Sequence, residues 1–531
     1  MQTTYNDAVR ALNRLQSNAE AVARIVSSGD GDRHMRMLEI ESCLKLLGIN
    51  VDDLDRLSVI HVSGTKGKGS VCAMVESILR HSSLKTGLYT SPHLVEVRER
   101  IRINGVPLSQ NAFASYFWDC FHKLKVLEEE TSGPQYFKFL TAMGYYVFLK
   151  EQVDVAIVEV GIGGQFDYTN IVRRPVVCGI TALGYDHTSM LGKTIEKIAW
   201  HKAGIIKKGA PVFTVKQDSG GLNVIMEKAR ELGARLFLAP ELSQYPGIFP
   251  ELSLEGEHQY TNASLAIQIC QSWLSARKNG TAENDIAESL WHCKSVSETS
   301  ENDAITANGH AESHEVPTAS VFDLADNFRN GLKTCFWPGR NQVISRPRIT
   351  YFVDGAHTPR SLRACQNWFL KSLTSNSTKQ TTTQLARVLM FNCTSGRDPN
   401  QLLSELKGIE FNFAIFCPNL AHRDDVYADQ MSYRLNDKRD IASCYKNESA
   451  WHAVSGSDQN TLVFSSVYDA IYWLDQQQDP LLVERPQKGV EFPPVQCQLA
   501  TDCHIQLLVT GSIHLVGALF RALGPQIAPT C

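Results

Sequence analysis

Eight residues between an apolar run and a helical pattern constrain this chain more than any other feature. Ser63-Gly-Thr-Lys-Gly-Lys-Gly-Ser70 follows a run ending at Val62 and precedes a periodic stretch from Val71 to Leu79. A glycine-rich turn joining a buried strand to a helix commits the surrounding chain to α/β architecture. Other apolar runs fit that frame: Ser58 to Val62, Thr86 to Thr90, Val153 to Val160, Val176 to Leu183 and Pro211 to Val215 read as buried strands of a mostly parallel sheet. In the intervening segment Val71, Met74, Val75, Ile78 and Leu79 fall on one helical face, which is expected to pack against a core.

The glycine-rich turn is a phosphate cradle in its chemistry. Its glycines let backbone amides approach phosphate oxygens, the helix N-terminus adds positive potential, Lys68 reaches the β and γ phosphates, and a hydroxyl helps orient Mg²⁺. The segment departs from the general phosphate-loop pattern, because Val62 stands where the first glycine would be and Gly69 separates Lys68 from Ser70. Ligands of open α/β sheets sit at the C-terminal ends of the strands. Ser91, Glu159 and His187 each follow such a run, and Ser91 and Glu159 offer the oxygen atoms that Mg²⁺ prefers. Lys202 lies on an expected helix, where spacing alone also allows a solvated surface lysine.

With 531 residues the chain is long enough for more than one core. Strand-like runs resume at Ile349 to Val353, Val388 to Phe391, Phe413 to Cys417 and Ile505 to Thr510, so a division into residues 1–336, a nucleotide-binding domain, and residues 337–531, a smaller Rossmann-like α/β domain, is expected. Ser275 to Ser320, rich in Ser, Thr, Glu, Asn and Ala, reads as a poorly ordered insertion, and Ser372 to Gln384 as a surface loop. A net charge of −4 argues against nucleic acid as partner, and the 14 scattered cysteines fit reduced thiols in a cytoplasmic protein. Met1 to Glu20 has two acidic residues and no continuous apolar core, so no leader is expected there, and no run has the length of a membrane span.

The second half adds Trp337-Pro-Gly-Arg340, Asp354-Gly-Ala-His357 and Gly511-Ser512, each placing glycine beside a charged or hydroxyl group. Taken in order with Thr90-Ser-Pro-His-Leu94, Glu159-Val-Gly-Ile-Gly-Gly-Gln-Phe-Asp-Tyr-Thr-Asn170, Asp186-His187 and Lys202-Ala-Gly204, these motifs resemble the folylpolyglutamate synthases of the Mur ligase superfamily, over nearly the whole chain.

The resemblance implies an ATP-dependent ligase that adds L-glutamate to reduced folates through an acyl phosphate, acting as a monomer with Mg²⁺ and a monovalent cation, K⁺. It implies that Gly64, Thr65, Lys66, Gly67, Lys68, Gly69 and Ser70 hold ATP phosphates. Ser91, Glu159 and His187 would ligate Mg²⁺, Arg340 and Asp354 would contact ATP from the second domain, and Asn262 matches a position near the adenine. Lys202 matches a lysine that is carbamylated in several relatives, although His201 stands where many bacterial relatives have Glu. His357 and Ser512 match residues associated with glutamate binding or catalysis. The segment from Ser91 to Arg102, with His93, Arg98, Arg100 and Arg102, is expected to receive the anionic folate tail or to form a solvated strand edge. Two other readings remain: a dihydrofolate synthase or bifunctional enzyme, and a nucleotide-binding scaffold without ligase activity. A mitochondrial isoform is compatible with the sequence.

Overall fold

The computed structural model describes residues 4–15, 30–124, 135–278, 315–376, 384–393, 397–422, 437–456, 460–482 and 503–524. Two sheets organise them. The first comprises β1 (Ile60–Ser63), β2 (Thr86–Tyr89), β3 (Ile101–Ile103), β4 (Val106–Pro107), β5 (Val155–Glu159), β6 (Val177–Ile180), β7 (Val212–Thr214) and β8 (Leu236–Leu238), in the order β4-β3-β2-β5-β1-β6-β7-β8. All neighbours are parallel except at β3 and β4, which turn back antiparallel at one edge. The second comprises β9 (Gln342–Ser345), β10 (Ile349–Val353), β11 (Leu385–Phe391), β12 (Phe413–Phe416), β13 (Thr461–Val463) and β14 (His504–Thr510), in the order β13-β12-β11-β14-β10-β9, with only β9 antiparallel.

β1, β2, β5, β6 and β7 are buried along their whole length, so their sequences read as continuous apolar runs. From β1 the chain crosses to β2 on one side, and from β5 it crosses to β6 on the other. The connections diverge there and leave a crevice at the C-terminal ends of β1 and β5. The helix after β1, Lys68–Arg80, differs from a one-sided stripe, because every residue from Ser70 to Leu79 is buried. It lies under helices His258–Lys278 and Asp326–Lys333 as well as on the sheet. The last contact is so close that a Cβ on Gly331 would lie 2.6 Å from Ile78 Cα.

The polar tracts prove shorter than their composition indicates. Residues 275–278 finish the helix His258–Lys278, and Thr318 bridges in parallel to Leu238 at the edge of β8, so both ends of the first tract belong to the fold. Residues 279–314 lie outside the described residues. The second tract begins inside the helix Pro359–Asn376, and residues 377–383 lie outside the description. The described cysteines are free and buried. Among the described residues no helix is long and apolar enough to cross a membrane.

Candidate active site

The crevice is floored by the glycine-rich turn. Gly64 and Gly67 have φ of +137° and +91°, conformations that side chains rarely adopt, and space is also lacking. A Cβ on Gly64 would lie 1.9 Å from Thr181 Oγ1, and one on Gly67 would lie 2.4 Å from Asn262 Oδ1. The amides of Thr65 and Lys66 donate to Ala182 O at 3.0 and 3.1 Å, and Thr65 Oγ1 donates to Gly184 O at 3.1 Å. These bonds tie the turn to the segment after β6. Asn262 therefore sits against the phosphate turn itself, with Nδ2 donating to Gln259.

Lys68 opens the helix and has neither hydrogen bond nor ion pair among the described residues, whereas Lys66 is fully engaged. Lys66 Nζ donates to Asp186 Oδ2 at 3.0 Å and to His357 Nε2 at 2.8 Å, across from the first sheet to the second. The carbonyl of Gly355, 3.0 Å from His357 Nδ1, can only accept, so Nδ1 carries the proton, while Nε2 is shared between Lys66 Nζ and Asp186 Oδ2, the latter at 3.2 Å. Burial lowers the pKa of His357, which agrees with a neutral ring. Burial likewise brings Lys66 to about 8, with Asp186 opposing the shift and Lys68 and Arg397 adding to it.

Glu159 ends β5 and is buried. One oxygen accepts from the amide of Ser91 at 3.0 Å, and no side-chain cation among the described residues pairs with it. Desolvation raises its pKa, against the charges of Lys68, Arg340 and Arg100. A buried carboxylate in this condition suits a hard divalent cation. His187 is the left-handed cap of a short helix and is open to solvent, yet desolvation of its ring and the charges of Lys68 and Lys202 bring its pKa to about 4. No cluster of three His, Cys, Asp or Glu forms a ready cage among the described residues. The set Ser91, Glu159 and His187 would therefore leave several positions to water and phosphate, as Mg²⁺ requires.

Lys202 is no surface lysine. It is 4% exposed, its Nζ donates to Gly64 O at 2.7 Å, and its carbonyl accepts from Ser63 Oγ at 2.9 Å. Burial and the nearby Lys68 push its pKa well below the ordinary value. The Glu159–Asn170 segment is locked around it: Gln165 N donates to His201 O, Asn170 Nδ2 to Gly204 O, and Asp167 gathers the amides of Ile162 and Thr169.

From the second sheet, Arg340 Nη1 approaches Gly355 so closely that a Cβ there would lie 2.7 Å from it. Asp354 is occupied by backbone, with its two oxygens accepting from Asn341 N and Ala356 N. It thereby pins the Arg340 turn to the end of β10. Ser512 is the cap of helix Ile513–Leu523, its hydroxyl accepting from His514 N at 3.2 Å.

The segment Ser91 to Arg102 is not a solvated edge, since Arg98, Arg100 and Arg102 are all buried. Sequence reasoning missed Glu99, whose carboxylate accepts from the amides of Leu94, Val95 and Glu96 and so shapes that segment. A carboxylate three to five residues beyond a turn was the available signal. It also missed the engagement of Asp186 with Lys66, which no local pattern encodes.

The fold places the chain in a class first. It matches the structure of the Mycobacterium tuberculosis folylpolyglutamate synthase complexed with ADP at a TM-score of 0.64 and 22% identity, covering 92% of this chain and 94% of that one. The two-sheet fold of that protein is thus the fold of this chain. By sequence it is 40% identical to the human mitochondrial folylpolyglutamate synthase, over 99% of this chain and 92% of the relative. It is 39% identical to the bovine mitochondrial enzyme, over 99% and 93%. No family model matches the chain. The chain belongs to the folylpolyglutamate synthase family.

Proposed function

We propose that this protein joins L-glutamate by γ-linkage to tetrahydrofolate and its polyglutamates, with ATP converted to ADP and phosphate. The observation that carries the reading is the meeting of two half-sites. A phosphate turn with an unengaged Lys68 lies on one sheet, and His357 reaches it from the other through Lys66 and Asp186. Membership of the family and the ADP complex of a structural relative support ATP as co-substrate.

A carboxylate oxygen of the folate tail attacks the γ-phosphorus of ATP, the bond to the β–γ bridging oxygen breaks, and ADP leaves. The acyl phosphate so formed is attacked at carbon by the amine of glutamate, and phosphate departs with the electrons of the C–O bond. A free carboxylate is a poor electrophile, and the mixed anhydride supplies the leaving group it lacks. In this reading the amides of Gly64 to Ser70 cradle the phosphates, Lys68 neutralises charge on the transferring group, and Arg340 approaches from the second sheet. Once its contact with Lys66 is released, His357 Nε2 accepts the proton given up by the attacking amine. Mg²⁺, held by Ser91, Glu159 and His187, supplies further charge neutralisation when bound. The neutral amine favoured at Lys202 is the form that reacts with carbon dioxide, which supports its carbamylation. Asp354 and Ser512 act by shaping backbone in this scheme, and K⁺ is a further requirement.

Residues 1–336 and 337–531 are proposed as two domains that close on the substrates, in a monomer. A cytoplasmic enzyme with a mitochondrial form suits the free cysteines and the mitochondrial names of the mammalian relatives. The test is incorporation of labelled glutamate into tetrahydrofolate by the purified protein with ATP, Mg²⁺ and K⁺, run beside dihydropteroate. Transfer to tetrahydrofolate alone supports the reading, transfer to both makes the enzyme bifunctional, and no transfer despite bound ATP overturns it in favour of a scaffold.

A further inference from the structure

Three arginines lie on the segment after β2, and two of them are spent. Arg98 Nε donates to Glu96 at 2.6 Å and Nη1 to Leu108 O at 3.0 Å. Arg102 bonds Glu99 O and Gly105 O and lies 5.0 Å over the Trp337 ring. Arg100 is different. It is 4% exposed, its guanidinium rests 5.4 Å over the Tyr136 ring, and Nε donates to His93 Nδ1 at 3.0 Å. No carboxylate lies within ion-pair distance, and its two terminal nitrogens have no hydrogen-bond partner among the described residues. Neither nitrogen is among the buried atoms sealed off without a partner. Its charge is felt by Glu159 on one side and by half-buried His514, from the second sheet, on the other.

A desolvated cation without a counter-ion is costly to keep, and Arg100 is held by a ring face and one imidazole with its fork left free. A planar fork of that kind takes a carboxylate through two parallel bonds. A γ-linking ligase must solve one problem of choice. The terminal glutamyl residue of its acceptor carries two carboxylates of similar chemistry, and only one is to be phosphorylated. Fixing one of them selects the other.

The geometry points to Arg100 as the residue that receives the α-carboxylate of the terminal glutamyl residue of the folate acceptor, leaving its γ-carboxylate to face Lys68 and Glu159. Arg100 shares with Ser91 the segment that follows β2 beside Glu159, on the side of the site where the acceptor is activated. The phosphates have their own donors in the glycine-rich turn. This assignment rests on the ligase reading above and adds to it the source of γ-selectivity.

The test uses tetrahydrofolate and its α-carboxamide, in which the proposed anion is neutral and the γ-carboxylate unchanged. Binding of both is measured by equilibrium dialysis with a non-hydrolysable ATP analogue, and KM for folate, glutamate and ATP is measured in turnover. Wild type should bind the carboxamide about ten- to hundredfold more weakly than tetrahydrofolate, the size of one charge-assisted contact. Arg100→Met should weaken tetrahydrofolate to the level of the carboxamide and lose the discrimination, while KM for ATP stays unchanged and Arg100→Lys recovers part of it. Equal binding of both ligands by wild type overturns the proposal, as does a rise in KM confined to glutamate or to ATP. If Arg98→Met, folded by circular dichroism, abolishes discrimination equally, the effect is packing and the proposal falls. A wild type that discriminates between the ligands through Arg100 but transfers no glutamate keeps the subsite and removes the ligase reading.

Discussion

At the residue scale the contrast between Lys66 and Lys68 sets the chemistry. Two residues apart on one turn, the first is committed to Asp186 and His357 and the second to nothing described. Lys68 is therefore available to a phosphate at no cost in broken contacts. Lys68→Ala should lower the rate of glutamate ligation by roughly 10²–10³-fold or more, with the melting temperature nearly unchanged; near-normal ligation by a folded variant would remove Lys68 from the chemistry. The form of this turn was legible because strand, glycines, lysine and helix are contiguous. The fates of Arg98, Arg100 and Arg102 were not, because what separates them is partners such as the Leu108 carbonyl and the Trp337 ring. Likewise the resemblance marks Asp354 as a contact to ATP and Ser512 as a glutamate-binding or catalytic group, and it does not disclose that both accept from backbone amides. A sequence shows which groups are present and says little about which are already satisfied.

At the scale of elements the same division holds. Strands buried on both faces, such as β1 and β5, announce themselves as apolar runs, while β8, β9 and β13 are short and half-buried and carry no run to read. β1 holds an exception to its own apolar character. His61, 0% exposed, sits mid-strand with Nε2 3.0 Å from Thr169 Oγ1 and no partner at Nδ1. Burial, with a contribution from Lys207, lowers its pKa from 6.5 to about 3. Between those values the unfolded chain binds a proton that the folded chain refuses. The stability tied to His61 is thus complete above pH 6.5 and drains away as pH falls toward 3. The slope is about 1.4 kcal/mol per pH unit for one such proton. Urea unfolding at pH 7, 6 and 5 should show this loss, and His61→Leu should flatten it by about that amount; an unchanged slope would mean that the ring is protonated in the fold.

At the scale of the whole molecule the two sheets meet through a joint built on absence of side chain. A Cβ on Gly517, in the helix Ile513–Leu523, would lie 1.9 Å from Leu94 O, and Arg521 Nη2 donates to Val95 O at 2.7 Å. The segment that presents Ser91 and Arg100 is thereby seated on the second sheet's last described helix. Gly517→Ala gains helix propensity, worth about 1 kcal/mol, but must push Leu94 aside. Because the clash is with the Leu94 backbone carbonyl, the expected result is a lowered thermal unfolding temperature together with a kcat lower by about tenfold, as misplacement far from the chemistry can cause. An unchanged kcat would make the joint incidental to turnover. The two-sheet plan was readable from the alternation of runs, whereas this joint was not, since nothing marks a glycine inside a helix as a contact.

Among the described residues β14 is the last strand along the chain and yet lies between β10 and β11, pairing with five residues of one and seven of the other. On the ribosome both flanking strands emerge before the strand that must separate them. Until His504–Thr510 has cleared the exit tunnel, each offers an open edge, able to pair with the other or with a neighbouring nascent chain. The half that carries the glycine-rich turn has a shorter wait of the same kind, since β5 follows β1 and β2 along the chain and lies between them. Synthesis therefore completes the sheet with the glycine-rich turn first and leaves the second sheet open longer, so helpers that shield exposed strand edges matter most while β10 and β11 wait for β14.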